Sequence, residues 1–289
     1  MKRQCAFIEG PLFEGSTTFG TDLAYEVVKK AMSDEKRIFC DYHEIYKCDS
    51  KQDDFGTKNI GPVVTKCENI RMAILEAFNS NRFPIVVGGD HSLAMASLAA
   101  GSETFGIENY CVIYIDGHCD INTEETSLTH NIHGMPLAAS MGLCHEVLRI
   151  GPLSKKVLGS NIFIIGARSI DEAERYIVKN NNVNLLEQGD DFIKKLPQFL
   201  EQMKNKIGLK KVHLSIDVDS LDPSVLKSTG YVMPNGLLLE TVTSIVEYAF
   251  KSFDVVSADL VEYNPAIDCA GKDLKVVLDI LKTIENHVI

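Results

Sequence analysis

Tyr110-Cys111-Val112-Ile113-Tyr114-Ile115-Asp116-Gly117-His118-Cys119-Asp120 carries an apolar run straight into three side chains with metal-ligand chemistry at alternate positions. The run is short, rich in β-branched and aromatic residues, and not interrupted by polar ones, which is the pattern of a strand buried on both faces. Comparable runs occur at Pro84–Val87, Asn161–Gly166, Val183–Leu186, Val212–Asp217 and Val255–Val261. Helical periodicity fills the intervals, at Thr65–Asn79, Ser92–Gly101, Asp171–Asn180, Asp191–Ile207, Leu238–Lys251 and Gly271–Asn286. Towards the start, a strand is expected near Cys5–Glu9, a helix near Thr21–Met32 and a strand near Arg37–Asp41, while Lys47–Val63 reads as a surface loop. Strand–helix alternation predicts an α/β fold. We expect one domain over residues 1–289, a parallel sheet with helices on both faces.

Composition removes several function classes. The formal charge is −11, from 29 basic and 40 acidic residues, and no basic cluster interrupts it. Phosphate neutralisation needs Lys and Arg, so nucleic acid is not expected as a partner, whereas an acidic chain suits a small cationic substrate. No apolar run is long enough to span a bilayer, and no charged and apolar leader opens the chain. The eight cysteines form no CxxC pair, which fits reduced thiols in a cytoplasmic enzyme, although spacing leaves a Cys40–Cys48 bridge open.

The acidic residues fall where chemistry is expected. Asp116 and Asp217 each end a strand-like run, and parallel sheets bind ligands beyond the carboxyl ends of their strands. In an extended chain, Asp116, His118 and Asp120 share one face and Cys119 turns away. Asp217-Val218-Asp219 repeats that spacing, and Gly88-Gly89-Asp90-His91-Ser92 brings His91 to the same rim. Singly, each motif has a plainer reading as a turn or helix cap. Jointly, four aspartates and two histidines would repel one another unless a cation held them. Their charge of about −4 matches two divalent ions. A donor set dominated by oxygen suits Mn²⁺ better than zinc, and two such ions can share bridging carboxylates and activate a water.

These three motifs resemble, in order and spacing, the metal motifs of the ureohydrolase family, which includes arginase, agmatinase and formimidoylglutamase. The resemblance runs from about Pro84 to Pro265 and is closest to arginase. It implies a three-layer fold and a hydrolase that converts L-arginine to L-ornithine and urea through a metal-bridging hydroxide. An agmatinase or other guanidino-acid hydrolase is the alternative, and a catalytically silent binding relative a third. By resemblance, His91, Asp116, Asp120 and Asp217 would hold one manganese, and Asp116, His118, Asp217 and Asp219 the other. His133 resembles a proton-shuttling histidine, working with Asp120, and Glu262 the residue that grips the guanidinium. Asn122, Thr129 and Asn131 resemble the segment that reads the substrate carboxylate. Asp171, with Glu174 assisting through water, would meet the α-amino group, although by itself Asp171 reads equally as a helix N-cap. The resemblance also implies a homotrimer or homohexamer. Among the positions that depart from it, which include Thr129, Val232 and the stretch Gly10–Gly20, two add bulk. His130 replaces a usual glycine and Tyr231 a small hydroxyl residue, so their bulk is expected to reshape the amino-acid end of the pocket.

Overall fold

Every residue of strand β4 (Tyr110–Ile115) is buried. Cys111, Ile113 and Ile115 join one apolar cluster, and Tyr110, Val112 and Tyr114 join another. A pleat of period two separates them, so the sheet must be covered on both faces. The chain, described here by a computed structural model over residues 3–16, 18–32, 38–40, 59–154 and 156–288, does this with two layers of helix. Helices α1 (Ala24–Ala31), α6 (Phe192–Ile207), α7 (Leu239–Ser252) and α8 (Lys272–Val288) contribute to the first cluster. Helices α2 (Ile60–Asn79), α3 (Ala94–Phe105), α4 (Pro136–Met141) and α5 (Glu172–Asn180) contribute to the second.

The remaining strands are β1 (Cys5–Glu9), β2 (Ile38–Cys40), β3 (Phe83–Val87), β5 (Ile162–Ile165), β6 (Asn184–Leu186), β7 (Lys211–Asp217) and β8 (Asp254–Val261). All are parallel, in the order β2-β1-β3-β8-β7-β4-β5-β6. The α/β fold and parallel sheet expected from the sequence are therefore found. The chain reaches β4 directly after β3, yet β8 and β7 lie between them. This interruption leaves a crevice at the carboxyl ends of the four central strands, where α/β proteins bind ligands.

Two details differ from the sequence reading. Helix α2 begins at Ile60, so Ile60–Val63 of the expected loop are its first turn. The rest of that loop that precedes Asn59 lies outside the described residues, as do Cys48, the Cys40 side chain, Arg37 and Asp41. Helix α4 was not anticipated. It starts on Pro136 and spans six residues, too few to display a hydrophobic period.

Beneath the crevice, strands and helix are cross-tied by a wholly buried polar network. His213 of β7 lies 3.0 Å from Asp259 of β8 and 2.8 Å from Ser257 Oγ, and Ser97 Oγ of α3 donates to Asp259 Oδ1 at 2.7 Å. Deleting one member of a buried pair strands the others without solvent. We predict that Asp259→Ala lowers unfolding stability by about 3 kcal/mol. Urea denaturation measures it, and a loss below about 1 kcal/mol would refute the assignment.

Candidate metal centre and active site

The residues singled out from sequence do meet on one rim, though not by remaining extended. Past β4, the Asp116 carboxylate accepts from the His118 backbone N–H at 2.6 Å, and the chain turns so that Asp120 has φ +49°. Asp217 closes β7 and accepts from Asp219 N at 2.7 Å, starting a tight turn over Val218–Ser220. Local hydrogen bonds to the aspartates thus replace the simple alternation expected of DxHxD and DxD. At the end of β3, Gly89 has φ +80°, and an added Cβ would stand 2.5 Å from Gly10 O, so only glycine fits. Asp90 caps the following turn by accepting from Ser92 N at 3.0 Å, its plainer role, and this delivers His91 to the rim.

His91 Nδ1 lies 2.9 Å from Asp116, 3.2 Å from Asp120 and 3.1 Å from Asp217, each through Oδ2. A ring nitrogen carries at most one hydrogen and cannot satisfy three carboxylates. Asp116 Oδ2 is buried without a hydrogen-bond partner despite that short approach, which lacks hydrogen-bond geometry. On the other side, His118 Nδ1 lies 3.0 Å from Asp219 Oδ2 and 3.6 Å from Asp116 Oδ1. His91, Asp116 and Asp120 form one group able to hold a cation, and Asp116, His118 and Asp219 form a second. Asp116 gives a different oxygen to each. Asp217 belongs to neither group; it turns Oδ2 to His91 and its other oxygen to the Asp219 backbone N–H.

The electrostatics report the same crowding. Burial pushes the Asp217 carboxyl well above its usual range, and the charges of Asp219 and Asp116 push it further. Burial works against a charged His91, but the close carboxylates of Asp116, Asp120 and Asp217 outweigh it and hold a proton there far above the ordinary histidine range. His118 is raised likewise, its burial overcome by Asp219 and Asp116. Trapped protons of this kind are what divalent ions displace. The oxygen-rich donors and the partnerless Asp116 oxygen therefore fit a dinuclear centre of hard ions.

Two supporting residues escaped the sequence reading. Ser215 Oγ lies 2.9 Å from His91 Nε2, leaving Nδ1 to face the aspartates. The Tyr114 hydroxyl donates to Asp120 at 2.9 Å, and its ring stacks on His91 with centroids 4.4 Å apart. Each stands two residues before a strand-end aspartate, so the strand period placed both on the ligand face.

Beside this cluster, Glu262 follows β8 with φ +62°. Its Oε1 accepts from His91 N at 2.9 Å and lies 3.0 Å from His133 Nδ1, while Oε2 is buried with no partner. Burial disfavours a charged His133, but the hydrogen bond and charge of Glu262 prevail, aided by Asp120 and Asp90, and push it up to about 9.

Further out, Asn122 Nδ2 donates to Asp171 Oδ2 at 2.9 Å, and Asn122 Oδ1 accepts from Thr126. Asp171 is also the N-cap of α5, in a capping box with Glu174. Glu174 accepts from Ile121 N at 3.4 Å, and its burial, with the charges of Asp120 and Asp171, pushes it up to about 7. Asn131 is buried, with Nδ2 on Ser16 O and Oδ1 unpartnered, whereas Thr129 and His130 are exposed. Tyr231 lies beside the candidate cation ligands. Its ring packs against His118 and His133, at centroid distances of 5.9 and 5.4 Å.

Comparison with known proteins agrees with this geometry. The sequence matches the profile of the Arginase family over residues 5–284. It is 32% identical to an arginase of Bacillus subtilis (strain 168) over 235 residues, 81% of this chain and 79% of that one. The structure of Bacillus caldovelox arginase superposes with a TM-score of 0.90 at 30% identity, covering 99% of this chain and 98% of that chain. Entamoeba histolytica arginase, solved in complex with L-ornithine, gives 0.86 at 25% identity and 99% of both chains.

The Glu262–His133 pair makes a signed prediction. Raised by Glu262, the His133 imidazolium contributes stability in full below its unfolded value of about 6.5 and loses it as pH climbs through about 9. In metal-free protein, Glu262→Gln should return the His133 titration to about 6.5 or lower, read by NMR of the ring protons. An unchanged midpoint would show that Glu262 is not the cause.

Proposed function

The chain belongs to the arginase family, and from that premise we propose that it is a manganese-dependent enzyme that hydrolyses L-arginine to L-ornithine and urea. One observation carries the reading: Asp116 presents one carboxylate oxygen to a His91 group and the other to a His118 group. His91, Asp116, Asp120 and Asp217 would hold one ion, and Asp116, His118, Asp217 and Asp219 the other. When bound, such a pair supplies a water acidic enough to act as nucleophile near neutral pH.

The chain's own residues do the rest. A guanidinium is planar and presents paired N–H donors, which match a carboxylate. Glu262 Oε2, buried and without a partner, has the free acceptor that such a cation needs. Fixing the cation there orients its carbon towards the aspartate cluster, because Glu262 also holds the backbone of His91. Cleavage needs a proton for the departing amine. His133, pushed up to about 9, holds one at neutral pH beside Glu262, and Asp120 is the other group near the cluster able to pass it on. Asn122 and Asp171, bonded together, offer neighbouring polar groups for the amino-acid end, with Glu174 behind them. The arginase titles of the relatives, and the L-ornithine complex of one of them, support arginine as substrate.

A second reading, hydrolysis of agmatine or of a guanidino acid other than arginine, is favoured by the outer contacts. Asn122 Nδ2 is engaged by Asp171, and the Thr129 hydroxyl accepts from Asn131 N and pairs with Ser127. A silent binding protein is disfavoured because all six ligand-type residues converge. We further propose a cytoplasmic homotrimer or homohexamer. No helix of the described residues is long and apolar enough to cross a membrane, and Cys67, Cys111, Cys119, Cys144 and Cys269 form no disulfide among the described residues.

Urea release from arginine, agmatine and guanidinobutyrate, with manganese added and then chelated, tests the substrate. Arginine is expected to lead, and preference for agmatine would select the second reading. Asp217→Ala should abolish both bound manganese, measured by elemental analysis, and turnover; near-normal turnover would end the two-ion account. His133→Asn should lower kcat about a hundredfold with metal content intact, whereas loss of manganese would make His133 structural.

A further inference from the structure

Tyr231 belongs to an excursion of the chain that is tied down on every side. Its two ends are pinned by Asp222 N donating to Leu237 O and Leu237 N to Ser220 O, both at 2.8 Å. Just before the tyrosine, Ser228 is held through N and Oγ by Asp273, at 2.8 Å each, and its carbonyl accepts from Asn264 N. Just after it, the Arg168 guanidinium binds Met233 O at 3.0 Å and Pro234 O at 3.2 Å. The same guanidinium binds Asp219 O at 2.8 Å, so the excursion and a candidate metal ligand share one anchor. An exposed aromatic ring on a free loop would be unremarkable, but this ring is positioned.

What it covers is specific. Its ring packs edge-to-face with His118, a member of one cation group, and tilted against His133, the partner of Glu262. Anything placed between the aspartate cluster and Glu262 lies in the space these two histidines border. Tyr231 is 38% exposed, so the ring is partly open to solvent and partly covered where it packs against the two histidines. A planar delocalised cation beneath an aromatic ring gains cation–π attraction and loses contact with water. A substituent on a terminal nitrogen widens the cation in its own plane, where it must find room beside His118 and His133, against which the ring is packed.

We propose that Tyr231 is a specificity-determining residue that roofs the reacting group, binding an unsubstituted guanidinium against its ring and excluding N-alkylated ones. The inference rests on the guanidinium-hydrolase reading and deepens it. The hydroxyl plays no part in it, because the ring makes both histidine contacts.

The test compares manganese-loaded wild type with Tyr231→Ala and Tyr231→Phe, using L-arginine and Nω-methyl-L-arginine. Metal-free protein is also titrated calorimetrically with L-arginine and with L-ornithine, which lacks the guanidinium. Tyr231→Ala should raise the arginine KM and dissociation constant about three- to thirtyfold, change kcat less, leave ornithine binding unmoved, and admit the methylated substrate. Tyr231→Phe should recover most of the affinity and restore the exclusion. The proposal is overturned if arginine affinity and the exclusion of the methylated compound both survive in Tyr231→Ala. It is equally overturned if Phe fails as badly as Ala, or if ornithine binding falls in parallel. Wild type that binds arginine but releases no urea would overturn the hydrolase reading instead, and the calorimetric comparison would still decide the role of the ring.

Discussion

Three aspartate carboxylates stand within 3.2 Å of one imidazole nitrogen at His91, and a fourth aspartate caps the adjoining histidine. In water such a gathering would disperse. In a crevice where Asp116 and His91 have no exposure, it persists only with compensating positive charge. Without metal the compensation is protons, hence the upward shifts at Asp217, His91 and His118. With metal it is a pair of divalent ions. The surrounding architecture follows from the need to hold like charges together until either arrives.

The holding is done by backbone and by cross-ties. Strands β3, β8, β7 and β4 stand side by side in the sheet, and their ends deliver His91, Glu262, Asp217 and Asp116. The aspartates are spent partly on local N–H groups: Asp116 on His118 N, Asp217 on Asp219 N and Asp219 on Gly117 N. These bonds stabilise the ionised form and fix each carboxylate's orientation. Asp120 and Glu262 take left-handed backbone conformations that cost non-glycine residues about 1 kcal/mol or more each. Tertiary packing of the sheet offsets that strain. Arg168 brings a permanent cation to this acidic rim, yet its hydrogen bonds all go to carbonyl oxygens, including Asp219 O, Ser220 O and Met233 O. It acts as a clamp between two loops rather than as a counter-ion to the aspartates. A lysine, with three donors on a point charge, could not span the same carbonyls.

Much of this was legible in residue order. Buried parallel strands must be continuously apolar, so Tyr110–Ile115 and its counterparts declared themselves. Clustered acids at their ends declared a cation, since nothing else makes such a cluster affordable in free energy. The period of two even marked Tyr114 and Ser215 as companions of the ligands, had it been followed two residues upstream. Short or aperiodic elements were not legible: α4 has six residues, and the start of α2 hides in a stretch of mixed polarity.

Sequence by itself determined the kinds of group available and the strand end each would occupy, because periodicity and burial are local properties of a chain. Only the tertiary structure decided that β8 and β7 insert between β3 and β4, since strand order depends on contacts between residues far apart in sequence. That insertion brings His91 to Asp217, 126 positions away, and Glu262 to His133, 129 positions away. It likewise decided that the ring of Tyr231 packs against two histidines, because hydrogen bonds with Arg168 and Asp273, remote in the chain, set the course of that loop.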